Sequence, residues 1–459
     1  MHRLLRFILI TFVVLFSVAF TGCTIENSNE IETHTTEYSS ETNPVITSDE
    51  ASTDENTTSQ ELINYNGKYA EDLSFFFKTL EEKHPDLYRY LSQSDYVALK
   101  RQLYEQADHL SKQTLYFELQ KILTDIGDAH TTIMADSQLM SEFSYYPFKV
   151  DAFDEKWYLT VLPEAYAEYL GWQLIGINQT DIDSVFNALS EIIPHENDAW
   201  VKTNFTNWLY NYDALAFIGV IDPMDSIFLT VINDEGTEAI LSLDRLTKDG
   251  FSTVLLKQLS RESTPETEPS GFYRWLTIDN SLVIQYNFLA EDTTQPTTLF
   301  NNEIIEMIKT QNFEKIILDY RYCKGGNDAI SYNLIAELSR YKSALSSDFY
   351  VLMGNATFSS GVINVARAIK LLDATTVGQD TGNAPNHFGA PKNYQLPNLG
   401  WWLSCSSDYF ELLSDAELSK LDKTQDSISK TLSPDIWVAH TIEDYIKGID
   451  PEIEYLLNH

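Results

Sequence analysis

Two stretches decide the fold of this chain: KIILDYRYCKGGND at residues 315–328 and FYVLMGNATFSSG at residues 349–361. Each opens with an apolar run and passes into glycine and polar residues. Such a run predicts a strand covered on both faces, and helical patterns follow at Ala329 to Tyr341 and at Ser360 to Leu371. Strands that alternate with helices through short loops predict an α/β fold with a parallel sheet. Functional loops in such sheets lie at the carboxyl ends of the strands, where both stretches turn polar.

Outward from these stretches, strands are expected at Ser281 to Tyr286 and at Ala374 to Val377. Residues 66–127 predict three helices, and strands dominate from about 145 to 250. Within the strand-rich part, Gly171 to Asn178 and the helical stretch after it resemble half of a PDZ domain. The expected organisation is a signal segment at 1–23, a tether at 24–64, a helical region at 65–140, a partly PDZ-like region at 141–265 and an α/β core at 266–459.

The two polar loops have features of a nucleophilic site. Gly325 and Gly326 permit positive φ and close approach of the backbone, so their N–H groups suit an oxyanion hole. Ser359 or Ser360 lies at the start of a helix, where free N–H groups and the helix dipole favour developing negative charge. Serine is also a common helix cap, and on this loop alone the two interpretations stand equal. The glycine pair is equally consistent with an ordinary strand-to-helix turn.

Together the motifs resemble the C-terminal processing and tricorn-type serine peptidases, the tail-specific proteases. The resemblance rests on D-x-R-x-x-x-G-G from Asp319, T-F-S-S-G from Thr357, V-G-x-x-T-G from Val377, L-P-N from Leu396, S-P-D-I from Ser433 and G-I-D-P from Gly448. It covers most of residues 65–455. It implies a crotonase-like (ClpP/crotonase) core with an N-terminal helical region. It further implies Ser359 as the nucleophile and an oxyanion hole formed by N–H groups of Ser360 and of the Gly325–Gly326 loop.

Two subtypes of this family differ in the general base. One uses a lysine, but Ala384 stands at about that position and the nearest lysine is Lys392, which argues against a Ser-Lys pair. The other uses a histidine in a D-x-H-T motif, which residues 128–131 match, so His130 is the candidate base. Histidine suits this role because its pKa lies near neutral pH. A surface-loop histidine is the alternative interpretation of His130, and His387 is the second candidate base.

The chain departs from the family pattern at several positions. Ala129 replaces the serine that stands beside the histidine in tricorn-type sites, and no glutamate lies just ahead of Pro434 to orient the base. Asp128 and Asp435 are therefore the candidate orienting acids. Cys323 replaces an asparagine in the glycine loop, where it either perturbs the oxyanion hole or is a small buried residue.

The first residues predict export. A basic start with Arg3 and Arg6 leads into 14 mostly apolar residues from Phe7 to Phe20, which is short for a membrane span. The residues up to Cys23 resemble the lipobox of bacterial lipoproteins, in which the signal is cut before a cysteine that carries the lipid. An uncleaved N-terminal anchor helix is the alternative. We expect an extracytoplasmic protein that is lipid-anchored to the bacterial cell membrane.

Acidic residues dominate the chain, with 68 Asp and Glu against 31 Lys and Arg and a net charge of −37. Residues 24–60 carry nine acids, fifteen Ser or Thr and no Lys or Arg, so an extended tether is expected there. Residues 61–459 keep a net charge of −30, which argues against nucleic-acid binding. Three cysteines without zinc spacing, and the lack of other ligand motifs, predict neither metal nor cofactor.

The expected function is hydrolysis of peptide bonds outside the cytoplasmic membrane by a serine-type endopeptidase. Its partners would be peptide or protein substrates and, through the lipid, the membrane. A catalytically silent relative that binds peptides or cell-wall components is the alternative, motivated by Ala129 and Cys323. The sequence leaves the natural substrate and the oligomeric state open.

Overall fold

The fold comes from a computed structural model that describes residues 66–222, 226–251, 253–414 and 431–459. The predicted signal segment, the predicted lipidation site Cys23 and the predicted tether lie outside the described residues. The described helices are α1 (Ala70–Lys83), α2 (Gln93–Gln106), α3 (Lys112–Ile126), α4 (Ser137–Glu142), α5 (Ile182–Ser190), α6 (Asp198–Trp208), α7 (Tyr212–Phe217), α8 (Lys248–Phe251), α9 (Thr297–Thr310), α10 (Ala329–Tyr341), α11 (Ser360–Leu372), α12 (Ile442–Lys447) and α13 (Pro451–Asn458).

The described strands are β1 (Thr132–Met134), β2 (Ser144–Tyr145), β3 (Lys149–Phe153), β4 (Lys156–Pro163), β5 (Gln173–Ile177), β6 (Thr180–Asp181), β7 (Ser226–Ile232), β8 (Glu238–Asp244), β9 (Leu246–Thr247), β10 (Leu256–Gln258), β11 (Tyr273–Ile278), β12 (Ser281–Tyr286), β13 (Lys315–Asp319), β14 (Asp348–Met353), β15 (Thr375–Gly378), β16 (Asn386–Gly389), β17 (Lys392–Gln395), β18 (Trp402–Cys405), β19 (Asp408–Glu411) and β20 (Ile436–Trp437).

A six-stranded sheet organises the second half of the chain, in the order β11-β12-β13-β14-β15-β20. β11 pairs antiparallel with β12, and the other neighbours pair in parallel. α9, α10 and α11 make the three successive connections from β12 to β15. The predicted alternation is confirmed, and β12, β13 and α10 have the predicted bounds.

The parallel strands are apolar on both faces because both faces are covered. Ile316 and Val351 pack in one cluster with apolar residues of α9, α10 and α11. Their chain neighbours Ile317 and Leu352 point to the other face and pack in a second cluster with Ile453 of α13. This double burial explains the unbroken apolar runs in the sequence.

A buried ion network ties the end of β13 to α13. Arg321 donates from Nε to Asp319 Oδ1 at 3.0 Å and from Nη1 to Asp450 Oδ1 and Glu452 Oε2, each at 2.8 Å. Arg321 and both Asp319 and Glu452 are buried, so each charge depends on its partners. The D-x-R motif is therefore a structural link between the strand end and the C-terminal helix.

The first half of the chain forms its own core. Helices α1 to α3 share one apolar cluster with the sheet of order β10-β4-β5-β7-β8, to which β3 and β6 are attached. A three-stranded sheet, β1-β18-β17, adds residues from late in the chain to this core. Trp401 and Leu403 of that late segment are buried in the N-terminal cluster. Since β1 begins two residues after His130, this sheet connects the loop of the candidate base to the second half of the chain.

The mixed α/β fold class is confirmed, as are the three N-terminal helices and strands in the region from about 145 to 250. All described residues belong to one compact unit, Leu62–His459, and the predicted boundaries near 140 and 265 stay predictions. In the described part of the chain, no helix has the length and apolar character needed to cross a bilayer.

Candidate active site

Ser359 lies at a sharp turn between β14 and α11 and has a strained backbone. Its φ is 54° and its ψ is −127°, a conformation that costs a residue with a Cβ about 1–3 kcal/mol. Its N–H donates to Asn383 Oδ1 at 2.7 Å, which holds the turn. Its side chain makes no capping hydrogen bond to α11, so the capping interpretation does not hold for Ser359. A serine held under strain with an uncommitted hydroxyl is suited to be a nucleophile.

Gly325 and Gly326 bring a second loop against Ser359, with φ values of 102° and 127°. A Cβ on Gly325 would lie 2.7 Å from Ser359 Cβ, and one on Gly326 would lie 2.2 Å from the carbonyl oxygen of Leu289. The N–H of Leu289 donates to the carbonyl oxygen of Gly325 at 2.9 Å and so pins the loop. Because no side chain fits at either position, the glycine pair is more specific than an ordinary turn.

Ser360 and Cys323 fasten the two loops together. Ser360 Oγ donates to the carbonyl oxygen of Gly326 at 2.6 Å, and the carbonyl oxygen of Cys323 accepts from the N–H of Phe358 at 2.9 Å. Cys323 is fully buried, and burial raises the pKa of its thiol to about 12. It is therefore a small buried residue at the junction of the loops. The structure thus brings the predicted oxyanion residues together with Ser359.

His130 packs against Phe358, the residue before the candidate nucleophile Ser359. Its ring stacks on Phe358 at a centroid distance of 4.5 Å and lies nearly parallel to His387 at 5.7 Å. With 8% of its surface exposed, it is not a surface-loop histidine. Burial lowers the pKa of His130 below its ordinary value, so a neutral ring is available to take a proton. Among the described residues neither ring nitrogen has a hydrogen-bond partner, so the ring is not bonded to Ser359 Oγ here.

Asp128 organises the loop that carries His130. Its Oδ1 accepts the His130 N–H at 2.8 Å, while its Oδ2 accepts the Thr131 hydroxyl and lies 3.2 Å from His84 Nε2. His130 Nδ1 lies 4.0 Å from Asp128 Oδ1. Burial opposes ionisation of Asp128, but its hydrogen bonds with His84 and Thr131 and the two neighbouring imidazole rings outweigh burial and lower its pKa to about 2. An ionised carboxylate therefore lies beside the candidate base.

Asp435, the other candidate orienting acid, is committed elsewhere. Its Oδ2 accepts the N–H of Thr376 at 3.0 Å and the Thr376 hydroxyl at 2.8 Å. Its own N–H donates back to Thr376 Oγ1 at 2.8 Å. These bonds join β15 to the segment before β20. The structure does not bring Asp435 to His130, so the orienting role suggested for it is not supported.

Glu196, just before α6, lies beside His130 although no motif marks it. Its Oε2 accepts from Asn383 Nδ2 at 2.7 Å and from the N–H of Ala384 at 2.8 Å. Ligand atoms of Glu196, Asp128 and His130 all lie within 4.8 Å of one another. Burial and the charge of Asp128 raise the pKa of Glu196 to about 8, although backbone and side-chain hydrogen bonds oppose the change. Glu196 is therefore protonated at neutral pH.

His387 belongs to the same surroundings. Its Nδ1 lies 2.8 Å from the carbonyl oxygen of Ala384, and burial lowers the pKa of His387 to about 3. It is thus a neutral neighbour of His130 that is held by the chain after Asn383. We call His84, Asp128, His130, Glu196 and His387 the base cage.

The base cage does not fit a resident metal ion well, although three of its members are close enough together to be considered. Both oxygens of Asp128 already accept hydrogen bonds from protein groups. Glu196 Oε2 accepts two more, from Asn383 Nδ2 and from the N–H of Ala384. These donors suit proton transfer and positioning better than metal binding.

Known structures share this architecture. Mature CPAF complexed with lactacystin superimposes with a TM-score of 0.59 at 15% sequence identity, over 84% of this chain and 96% of that chain. Mature CPAF in a second crystal structure gives a TM-score of 0.57 at 14% identity, over 84% and 94% of the two chains. This chain has the fold of mature CPAF.

The likeness to CPAF confirms, at the level of the fold, the family resemblance that the motifs carry. The photosystem II D1 C-terminal processing protease aligns over 80% of this chain and 92% of that chain, with a TM-score of 0.39 at 10% identity. No protein-family model matches the chain, and no curated protein matches its sequence.

Proposed function

We propose that this chain is a serine-type endopeptidase of the C-terminal processing, or tail-specific, family. The proposal includes a crotonase-like core and a PDZ-like middle region. The observation that carries it is Ser359, a strained serine whose side chain lies against Gly325 and next to Phe358, on which the buried His130 stacks. A nucleophile, a neutral base and a glycine loop within one small region are what acyl transfer requires.

In the proposed reaction, Ser359 Oγ attacks the carbonyl carbon of a peptide bond while His130 takes the hydroxyl proton. N–H groups of Ser360 and of the Gly325–Gly326 loop donate to the oxygen that gains negative charge. Asp128 stabilises the imidazolium, which then gives its proton to the departing amine. A water molecule that loses a proton to His130 hydrolyses the acyl-enzyme, and the proton returns to Ser359.

The reaction includes a movement of the His130 ring. Neither ring nitrogen is hydrogen-bonded in the described structure, and the ring stacks on Phe358. In the proposed reaction the ring turns off this stack so that a ring nitrogen comes within hydrogen-bond distance of Ser359 Oγ.

A fluorophosphonate probe on the purified full-length chain tests the proposal. We expect labelling of the wild type, none of Ser359→Ala, and a loss of about 10²- to 10⁴-fold in rate for His130→Ala. Ser407→Ala is the matched control, since it loses only a hydrogen bond to the carbonyl of Ala390. Equal labelling of wild type and Ser359→Ala would contradict the proposal.

A catalytically silent peptide-binding relative is the second candidate. It is favoured by the absence of a hydrogen bond from His130 to Ser359 among the described residues, and by Ala129 in place of the family's serine. An unlabelled wild type that still binds peptides or cell-wall fragments in calorimetry would support this candidate over the peptidase.

We further propose that the protein is a lipoprotein outside the cytoplasmic membrane, anchored through Cys23. The support is the basic start, the short apolar run and the lipobox-like residues of the sequence. Metabolic labelling with a fatty-acid analogue tests this: the wild type should be labelled and Cys23→Ser should not. Label retained in Cys23→Ser would exclude lipidation at this residue.

A further inference from the structure

We infer that Glu196 is a positioning residue that, through Asn383, fixes the nucleophile loop relative to the loop of the base. The inference rests on the proposed function and extends it to a residue from the middle region of the chain. Glu196 is 163 positions before Ser359 and belongs to none of the motifs. Its proposed part is to hold Ser359 in its strained turn, without touching the substrate.

An unbroken chain of hydrogen bonds joins Glu196 to Ser359 through Asn383. Ser359 N–H donates to Asn383 Oδ1 at 2.7 Å, and Asn383 Nδ2 donates to Glu196 Oε2 at 2.7 Å. Asn383 is fully buried and presents its two amide ends to these two partners. A strained backbone persists only when its surroundings hold it, and this amide is the contact made by the Ser359 N–H.

Glu196 also lies close to the loop of His130. One of its oxygens is within 4.8 Å of ligand atoms of both Asp128 and His130. Glu196 Oε1 is buried without a hydrogen-bond partner among the described residues. One carboxyl group therefore reaches both loops that the reaction must align.

The start of α6 holds Glu196 in place. The next residue, Asn197, donates from Nδ2 to the carbonyl oxygen of Thr381 at 3.0 Å and caps α6 by accepting the N–H of Trp200. The Trp200 ring stacks on Phe358 at 4.0 Å. The start of α6 is thus fastened to Thr381, two residues before Asn383, and to Phe358, the residue before Ser359, and these contacts give Glu196 a fixed position.

The competing explanation is that Glu196 is a buried residue without a role in positioning Ser359. The reaction rates of variants distinguish this explanation from the inference. Misplacing a nucleophile by about 1 Å costs on the order of 10²-fold in rate, whereas a purely structural acid affects stability alone. We expect Glu196→Ala and Asn383→Ala each to lower the fluorophosphonate labelling rate about 10- to 100-fold. In peptide hydrolysis kcat should fall while KM changes little.

The conservative and double variants sharpen the test. Glu196→Gln keeps an acceptor for Asn383 and should label within about threefold of the wild type. Glu196→Ala/Asn383→Ala should be no slower than the slower single variant, because both changes break the same chain. Glu191→Ala is the control, since Glu191 pairs with Lys121 at the surface.

Hydrogen exchange separates failure of this inference from failure of the proposed function. Amides of Ser359 and Ala384 should exchange faster in Glu196→Ala than in the wild type, whether or not the protein is a peptidase. If the wild type is not labelled but shows this exchange pattern, the proposed peptidase activity is wrong and the Glu196–Asn383 clamp, the positioning of the Ser359 loop by these two residues, is supported. Wild-type labelling rates and unchanged exchange in folded Glu196→Ala would overturn the clamp, and Asn383→Ala carries the same test if Glu196→Ala does not fold.

Discussion

The candidate site has two parts that the chain assembles in opposite ways. The nucleophile side consists of the loops of Ser359 and of Gly325–Gly326, and the other part is the base cage. Ser359 and the Gly325–Gly326 loop come from the ends of neighbouring parallel strands, β13 and β14, and only 35 residues of sequence contain them. The base cage collects residues from His84 to His387, which the chain brings together through four separate segments. The nucleophile side depends on backbone conformation, whereas the cage depends on buried polar contacts.

The difference shows in what holds each part. On the nucleophile side, positive φ values and close contacts leave room only for glycine at positions 325 and 326. In the cage, Asp128 and Glu196 are buried acids that need hydrogen bonds from other segments. We therefore expect the nucleophile side to be disrupted by adding a side chain at a glycine, and the base cage to be disrupted by removing a polar partner.

The largest effect is expected from Gly326→Ala, which breaks the nucleophile side. The new Cβ would meet the carbonyl oxygen of Leu289 at 2.2 Å with φ at 127°. We expect a loss of about 2–4 kcal/mol in the free energy of unfolding and loss of probe labelling. Gly354→Ala is the control, since its Cβ would find its nearest atom at 3.8 Å. Urea unfolding of both variants measures the difference, and equal costs would show that the loop adapts.

The variant Asp128→Ala is expected to disrupt the hydrogen bonds of the base cage. It leaves the His130 N–H, the Thr131 hydroxyl and His84 Nε2 without their buried acceptor, which should cost about 2–3 kcal/mol. Labelling should fall about 10²-fold or more because the base loop loses its support. Asp435→Ala, which affects only the Thr376 contact, should keep wild-type labelling. Normal labelling of Asp128→Ala at a pH where it is folded would remove Asp128 from the mechanism.

Glu196→Gln tests how the protonation of Glu196 in the base cage affects the stability of the folded protein. The folded protein keeps the Glu196 proton up to a pKa of about 8, whereas the unfolded chain releases it near 4.5. Wild-type stability should therefore fall as pH rises between these values, by about 1.4 kcal/mol per pH unit from this group. The glutamine variant lacks this term, while the facing groups Asp128, His130 and Tyr409 stay the same.

Thermal unfolding from pH 5 to pH 8 measures the Glu196 effect. The stability of Glu196→Gln relative to the wild type should rise with pH, and Glu191→Gln should run parallel to the wild type because Glu191 is exposed. Parallel curves for all three proteins would mean that Glu196 titrates normally in the folded state.

The smallest effect is expected from Ser359→Gly, which measures the strain of the turn. Glycine adopts a φ of 54° freely, so this variant should be about 1 kcal/mol more stable than Ser359→Ala, which keeps the Cβ. Neither variant should label. Equal unfolding midpoints would show that the turn stores no strain at Ser359.

Sequence patterns predicted the nucleophile side closely. The apolar runs and helical periodicity gave β12, β13 and α10 with their bounds, because short-range periodicity follows directly from which faces are buried. The glycine pair and the serine loop follow from the same local logic, since positive φ and a strand-to-helix turn involve adjacent residues.

The cage could be predicted only in part. Asp128 and His130 stand in one short motif, so their proximity is a local property that the sequence shows. His84, Glu196 and Asn383 carry no motif, because a histidine at a helix end or a glutamate before a helix is common on protein surfaces. Their meeting depends on the sheet β1-β18-β17 and on the packing of α6 against the serine loop.

The sequence by itself thus determined the alternating α/β core, the glycine loop and the serine turn, and it marked His130 as the candidate base within its motif. Only the tertiary structure decided that Glu196 lies beside that base, that Asp435 binds Thr376 instead, and that Asn383 joins Glu196 to Ser359. The physical reason is that periodicity and glycine conformations are fixed by neighbours in the chain. Buried polar partners, by contrast, are chosen by whichever segments the packing of the whole chain brings together.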